Sequence, residues 1–145
     1  MTHFEQEFFR LFKFSQSDIE QHLQNASHDL EIAGKDPFPE VQFSYSFQAL
    51  IKAGITLLAA VGKVKVRSVP GHHVKILTKM SEILADPDIL AIGNAMRMKR
   101  NTDLYGGGTP ISEKEAKEYY QFVKGIVEKV RKALVTADKV SKPGR

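Results

Sequence analysis

Apolar positions recur along most of this chain with the period of an amphipathic helix. Ile19, Leu23, Ala26, Leu30 and Ala33 are spaced four, three, four and three residues apart, which places them on one helical face. Ser17 followed three residues later by Glu20 predicts the start of that helix as a capping box, and Gly34 predicts its left-handed end. Pro37 and Pro39 then enforce a loop, because proline lacks the amide hydrogen a helix needs. A second helix is predicted from about Glu40 to Val61. Phe43, Phe47, Leu50, Ile51, Leu57, Leu58 and Val61 line one of its sides, and Val41, Tyr45, Ala49 and Ala53 line another. A helix apolar on two sides belongs at the centre of a bundle. Its small residues, Ala49, Ala53, Gly54, Ala59 and Ala60, allow close approach of another helix from the same chain or from a second subunit.

Two stretches depart from this period. Phe4, Phe8, Leu11 and Phe12 fit one helical face, while Phe9 and Phe14 fall off it. Residues 1–16 are therefore read as an aromatic N-terminal segment, either a short docking helix or a piece of partner interface. Lys63-Val-Lys-Val-Arg-Ser-Val69 alternates with the period of a strand, but no second strand stands out to pair with it. It is read as an extended connection ending at Pro70-Gly71. Beyond it the helical period returns. A third helix is predicted from about His72 to Leu84, with His73, Ile76, Leu77, Met80, Ile83 and Leu84 inward. Asp86 caps a fourth, whose first position is Pro87 and whose buried side carries Ile89, Ile92 and Met96 to about Leu104. Gly106 to Pro110 breaks the chain. Ser112-x-x-Glu115 opens a last helix to about Ala137, with Ala116, Tyr119, Tyr120, Val123, Ile126, Val127, Val130 and Leu134 as its seam. The expected architecture is all-α, an up-and-down bundle of four to five helices over residues 17–137, with residues 138–145 a flexible basic tail.

Composition narrows the setting. The chain has 145 residues and no cysteine, so disulfides and thiolate metal sites are excluded and nothing argues for secretion. The N-terminus carries Glu5 early and lacks the apolar core of a signal peptide. The longest apolar run, Ile51 to Val66, is interrupted by Lys52, Lys63 and Lys65 and is too short and too charged to span a bilayer. The expectation is a cytoplasmic protein without membrane attachment. The formal net charge of +4 is unevenly divided. Residues 1–62 carry eight acids and four Lys/Arg (−4), whereas residues 63–145 carry nine acids and seventeen Lys/Arg (+8). A basic half suits a polyanionic partner, and it equally suits solvated lysine-rich helices.

The candidate chemistry gathers between Met96 and Thr109, where Arg97, Lys99, Arg100, Asn101 and Tyr105 precede three glycines. On a continuous helix Arg97, Asn101 and Tyr105 form a stripe at i, i+4 and i+8, with Arg100 beside it. The planar fork of a guanidinium matches phosphate, Asn orients an oxygen, and Tyr donates a hydrogen bond or stacks on a base. A solvated helix end explains the same residues, because cations complement a helix C-terminus. Gly106-Gly-Gly lacks the lysine and the preceding strand of a phosphate loop and reads as a helix terminator. His72 and His73 point about 100° apart on a helix, too divergent to chelate one ion, and are read as a packed or polar pair at a helix start. No metal and no cofactor are expected.

The layout resembles the HEPN family (higher eukaryotes and prokaryotes nucleotide-binding). The resemblance rests on the helix Phe43-Ser-Tyr-Ser-Phe-Gln-Ala-Leu-Ile-Lys-Ala-Gly54, the Gly-His-His-Val start at Gly71–Val74, and Arg-Asn-x-x-x-Tyr at Arg100–Tyr105, followed by a helix opened by Ser-x-x-Glu. It covers roughly residues 17–136. It implies a dimerising helical bundle that binds nucleotide or RNA. It also implies a kinship with metal-independent endoribonucleases, often toxins paired with a nucleotidyltransferase antitoxin. Their motif is an arginine, then four to six intervening residues, then a histidine. Counted from Arg100 those positions hold Tyr105, Gly106 and Gly107, and from Arg97 they hold Thr102, Asp103 and Leu104. Tyrosine, with an ordinary pKa of about 10, is a poor general base. Arg67 and His72 do have the required spacing, but they sit in the Pro-Gly connection and the match is read as coincidental. The resemblance thus assigns nucleotide or RNA binding to Arg97, Arg100, Asn101 and Tyr105. If RNA is cleaved, it assigns the chemistry to Arg100 and Tyr105. The competing expectation is a non-catalytic dimeric interaction module, with Asn101 and Tyr105 capping the broken helix and Phe4, Phe8, Phe9 and Phe12 docking a partner.

Overall fold

A computed structural model of the chain describes the backbone of residues 2–106 and 111–141, and the side chains of residues 2–101 and 111–137. Five α-helices and a two-stranded ribbon occur among the described residues: β1 (Phe9–Leu11), α1 (Gln16–Lys35), α2 (Pro39–Leu57), β2 (Val64–Val66), α3 (His72–Leu84), α4 (Pro87–Gly106) and α5 (Glu113–Ser141). The protein is a mostly helical bundle, as the periodicity predicts. Helix α2, apolar on two sides, packs against α1 and α5, while α3 and α4 form an antiparallel pair against it. Phe47, Leu50, Leu57, Ile76, Leu77, Met80, Val123 and Val127 are fully buried between them. The stretch Pro39–Gly62 is long and apolar enough to cross a membrane, but 61% of its apolar window is buried inside the bundle, so this is its core helix.

The ends of the helices show how local chemistry was read and where tertiary contacts intervened. The first capping box forms two residues earlier than Ser17–Glu20. Ser15 Oγ accepts from the Asp18 amide at 3.0 Å, and Asp18 Oδ2 accepts from the Ser15 amide at 3.4 Å. Both sites have the required Ser-x-x-acid spacing, and the earlier one lengthens the helix and its ladder of hydrogen bonds. Gly34 does not terminate α1. The helix runs on to Lys35, and a Cβ at Gly34 would lie 2.6 Å from Tyr120 Oη on α5. Its role is to let two helices approach. Gly54 has the same role on α2, where a Cβ would lie 2.5 Å from both Ile76 Cγ2 and Met80 Sδ on α3. Ser112 caps α5 as expected, accepting from the Glu115 amide at 3.0 Å. That helix continues to Ser141 rather than ending near Ala137, and residues 142–145 lie outside the described residues.

Two stretches of the chain break the helical period. They pair with each other. Phe9–Leu11 runs antiparallel to Val64–Val66, with Phe9 opposite Val66, Arg10 opposite Lys65 and Leu11 opposite Val64. The N-terminal aromatics therefore build a turn and a strand, not a docking helix, and the alternation of Lys63–Val69 is a strand after all. A π-helical turn, Leu58–Gly62, ends α2, and Lys63 in the left-handed region (φ 56°) swings the chain into β2. Glu5 locks the N-terminal segment to α3: its carboxylate meets Lys75 Nζ at 2.6 Å and the buried Lys79 Nζ at 2.7 Å. Those hydrogen bonds hold the Glu5 carboxyl down at about 2.

Candidate functional site

The chain leaves β2 through Ser68, Val69 and Pro70, turns at Gly71 (φ +85°), and starts α3 at His72. A positive φ is accessible to glycine because it has no Cβ. His72 Nδ1 lies 2.8 Å from the Val69 carbonyl oxygen. A carbonyl only accepts, so Nδ1 carries the proton and, in the neutral ring, Nε2 keeps its lone pair. No side chain caps the first turn of α3, so the positive end of its dipole faces the open side of this turn.

Helices α3 and α4 are joined by the tight turn at Ala85–Asp86 and run antiparallel. At about 1.5 Å per residue, the thirteen residues of α3 span ~20 Å. The same distance back along α4 from Pro87 reaches Arg97–Arg100. The start of α3 and the late part of α4 are therefore brought side by side. They enclose a concavity of about 420 Å³ lined by Ser68, Val69, Pro70, Gly71, His72, His73, Val74, Arg97, Arg100 and Asn101, with no carboxylate among its described lining residues. A second depression of about 240 Å³ adjoins it, lined by Phe47, Gln48, Ile51, Lys52, Ile55, His73 and Arg100. His73 and Arg100 belong to both.

The two arginines are seated by neutral partners. Arg97 Nε donates to Asn94 Oδ1 at 2.9 Å, and the Arg100 guanidinium lies 5.5 Å from the centroid of the Phe47 ring. Neither forms an ion pair among the described residues. The remaining cations of the neighbourhood are engaged elsewhere, Lys99 with Glu115 at 3.5 Å and Lys52 with Asp29 at 2.7 Å. His73 packs edge-on to Phe47 (5.7 Å) and against His72 (4.2 Å). Burial, then His72, Arg100 and Arg97, push its pKa down to about 4. At pH 7 it is a neutral imidazole in a positive environment.

Of the residues predicted from sequence, Arg97, Arg100 and Asn101 do share one site. Tyr105 lies on the α4 backbone, but its side chain is outside the described residues, as are residues 107–110 of the glycine break. Sequence reasoning kept His72, His73 and Phe47 apart from this cluster. The signal that links them was present: two helices joined by a two-residue turn run antiparallel, so His72–His73, thirteen residues before the turn, lie opposite Arg97–Asn101. No group of three His, Asp or Glu side chains converges as a metal site among the described residues. No family model matches the chain, and no curated protein or solved structure matches it.

The depressed pKa of His73 has a measurable consequence. The folded state resists the proton that the unfolded chain takes up near pH 6.5. Stability is therefore unaffected above that pH and falls as pH drops toward 4. With the imidazole half-buried, the loss by pH 4 is expected to be on the order of 2 kcal/mol. Urea unfolding followed from pH 8 to pH 4 should show this slope in the native chain and lose it in a His73→Gln variant. An identical slope in both would mean that His73 titrates normally.

Proposed function

We propose that this chain is a cytoplasmic, HEPN-like protein that binds a nucleotide or RNA through the concavity between α3 and α4. The observation that carries the reading is the convergence of Arg97, Arg100 and Asn101 with an uncapped helix start and no described carboxylate. Two guanidinium forks and a helix N-terminus are complementary to a phosphate, and arginines without an ion pair among the described residues break none of those to meet one. The adjoining depression supplies the other half of a nucleotide site. The partly exposed Ile55 offers an apolar contact for a base, with His73 and Arg100 between it and the phosphate and the buried Phe47 and Ile51 beneath. The test is salt-dependent binding of single-stranded RNA by the native chain and by an Arg97→Ala/Arg100→Ala variant. Equal affinities would refute the reading.

A second reading, metal-independent RNA cleavage, is favoured by the two imidazoles beside the guanidiniums. The motif histidine missing after Arg97 and Arg100 has a stand-in on a different helix. His72, with Nδ1 held by Val69, presents an unprotonated Nε2 able to take the proton of a ribose 2′-hydroxyl. That oxygen then attacks the adjacent 3′-phosphorus, the P–O5′ bond breaks, a 2′,3′-cyclic phosphate forms, and the leaving 5′-oxygen takes a proton from water. Arg100 would stabilise the phosphorane charge. In the presence of EDTA, RNA should be cut to cyclic-phosphate ends, and His72→Ala should slow the cut by about a hundredfold or more. Intact RNA after prolonged incubation leaves binding as the function.

A further inference from the structure

The outward side of the β-ribbon carries an aromatic residue set among cations. Phe12 continues β1 by one residue, its amide donating to the Lys63 carbonyl at 2.9 Å, and its side chain is 39% exposed. The Arg10 guanidinium and the Lys65 ammonium lie 5.7 Å and 5.6 Å from its ring centroid, and the Phe14 ring lies 4.6 Å away. Alternation along β2 puts Lys63, Lys65 and Arg67 on the side opposite the inward Val64 and Val66. Arg10, Lys63, Lys65 and Arg67 form no ion pair with a carboxylate among the described residues. Aromatic packing explains Phe9, which is buried. It does not explain why an exposed phenylalanine is placed beside Arg10 and Lys65, which face each other in the register, with Lys63 opposite it.

We propose that this face of the ribbon is a stacking platform for single-stranded nucleic acid, distinct from the concavity and continuous with it. A base can displace the two exposed cations from the Phe12 ring, because stacking on an aromatic face is stronger than an exposed cation–π contact. The displaced guanidinium and ammonium then meet the flanking phosphates. Arg67 and Ser68 lead directly from the ribbon into the lining of the concavity. From Lys65 to His72 the chain can extend at most ~25 Å, so a strand of several nucleotides reaches from one surface to the other. The inference depends on the nucleic-acid reading of the concavity for its choice of polymer. It adds that the ligand is unpaired and longer than one nucleotide.

The chain contains no tryptophan, which provides the probe. In a Phe12→Trp variant the sole indole sits on the platform, and a stacked base quenches it. A uridine dodecamer is expected to quench this fluorescence, whereas heparin of similar charge and a fully paired RNA duplex should bind without quenching. In parallel, Phe12→Ser should weaken dodecamer binding about tenfold in fluorescence polarisation and leave dinucleotide binding unchanged, with circular dichroism confirming an intact fold. Phe12→Tyr should restore the dodecamer affinity. The platform is overturned if the dodecamer saturates the protein without quenching, if the duplex or heparin quenches equally, or if Phe12→Ser binds the dodecamer as the native chain does. A dodecamer affinity lost in Arg97→Ala/Arg100→Ala but kept in Phe12→Ser sinks the platform and spares the concavity. The reverse pattern sinks the concavity and spares the platform.

Discussion

Replacing Arg97 and Arg100 together by alanine is expected to weaken binding of single-stranded RNA by about a hundredfold, at roughly 1.4 kcal/mol for each lost charge-assisted contact. The salt dependence should change with it. Each phosphate contact to a single strand contributes about −0.7 to the slope of log affinity against log salt, so removing two should flatten the slope by about 1.4. Polarisation titrations at several salt concentrations give both quantities. Lysine at the same positions separates charge from shape. It restores a point charge, and hence most of the slope, but not the planar fork, so affinity should recover only in part. The fold should tolerate these changes. Among the described residues Arg97 is anchored by one neutral side-chain hydrogen bond and Arg100 by one ring, both partly exposed. An unchanged affinity together with an unchanged slope would remove the phosphate site and return the cluster to a solvated helix end.

Phe47→Ala is expected to be the most destabilising single change near the site. The ring is 1% exposed. Emptying such a position costs about 3–5 kcal/mol, a large share of the 5–15 kcal/mol that typically holds a domain together. Chemical denaturation would register it directly. Phe47→Leu is the more informative variant, because a swap of similar volume costs about 1–1.5 kcal/mol and keeps the bundle folded. It removes the ring that seats the Arg100 guanidinium at 5.5 Å and flanks His73 at 5.7 Å. RNA affinity of the folded Leu variant should fall several-fold, near the value of one cation–π contact. Native affinity in that variant would make Phe47 a core residue and nothing more.

Much of the molecule could be read along the chain because its determinants are local. Side chains three and four residues apart define a helical face. A serine and an acid three residues apart define a helix start. A proline pair defines a loop. These interactions close within a turn or two of backbone, so α2, α3, α4 and the cap at Ser112 lie where the pattern puts them, and the cluster Arg97, Arg100 and Asn101 comes out together because one helix carries all three. Gly34 shows where local reading ends. Its neighbours in sequence say terminator, while its neighbour in space, Tyr120, says close packing.

What the sequence by itself determined is the helical bundle, its order of elements and the cationic stripe on α4. The antiparallel course of α3 and α4 was legible in their short turn, but the tertiary structure alone decided that Arg97, Arg100 and Asn101 close one concavity with the start of α3, and that the aromatic N-terminus is a strand. Both follow from pairings between residues far apart in sequence. Phe9 meets Val66 and His73 meets Phe47 and Arg100 only after the helices have packed. A strand has no internal hydrogen bonds, so its identity depends on a partner that periodicity cannot name. A site made by two helices depends likewise on how the core brings them together. Burial among those neighbours, ahead of the nearby positive charges, keeps His73 neutral at pH 7, a property its place in the sequence did not reveal.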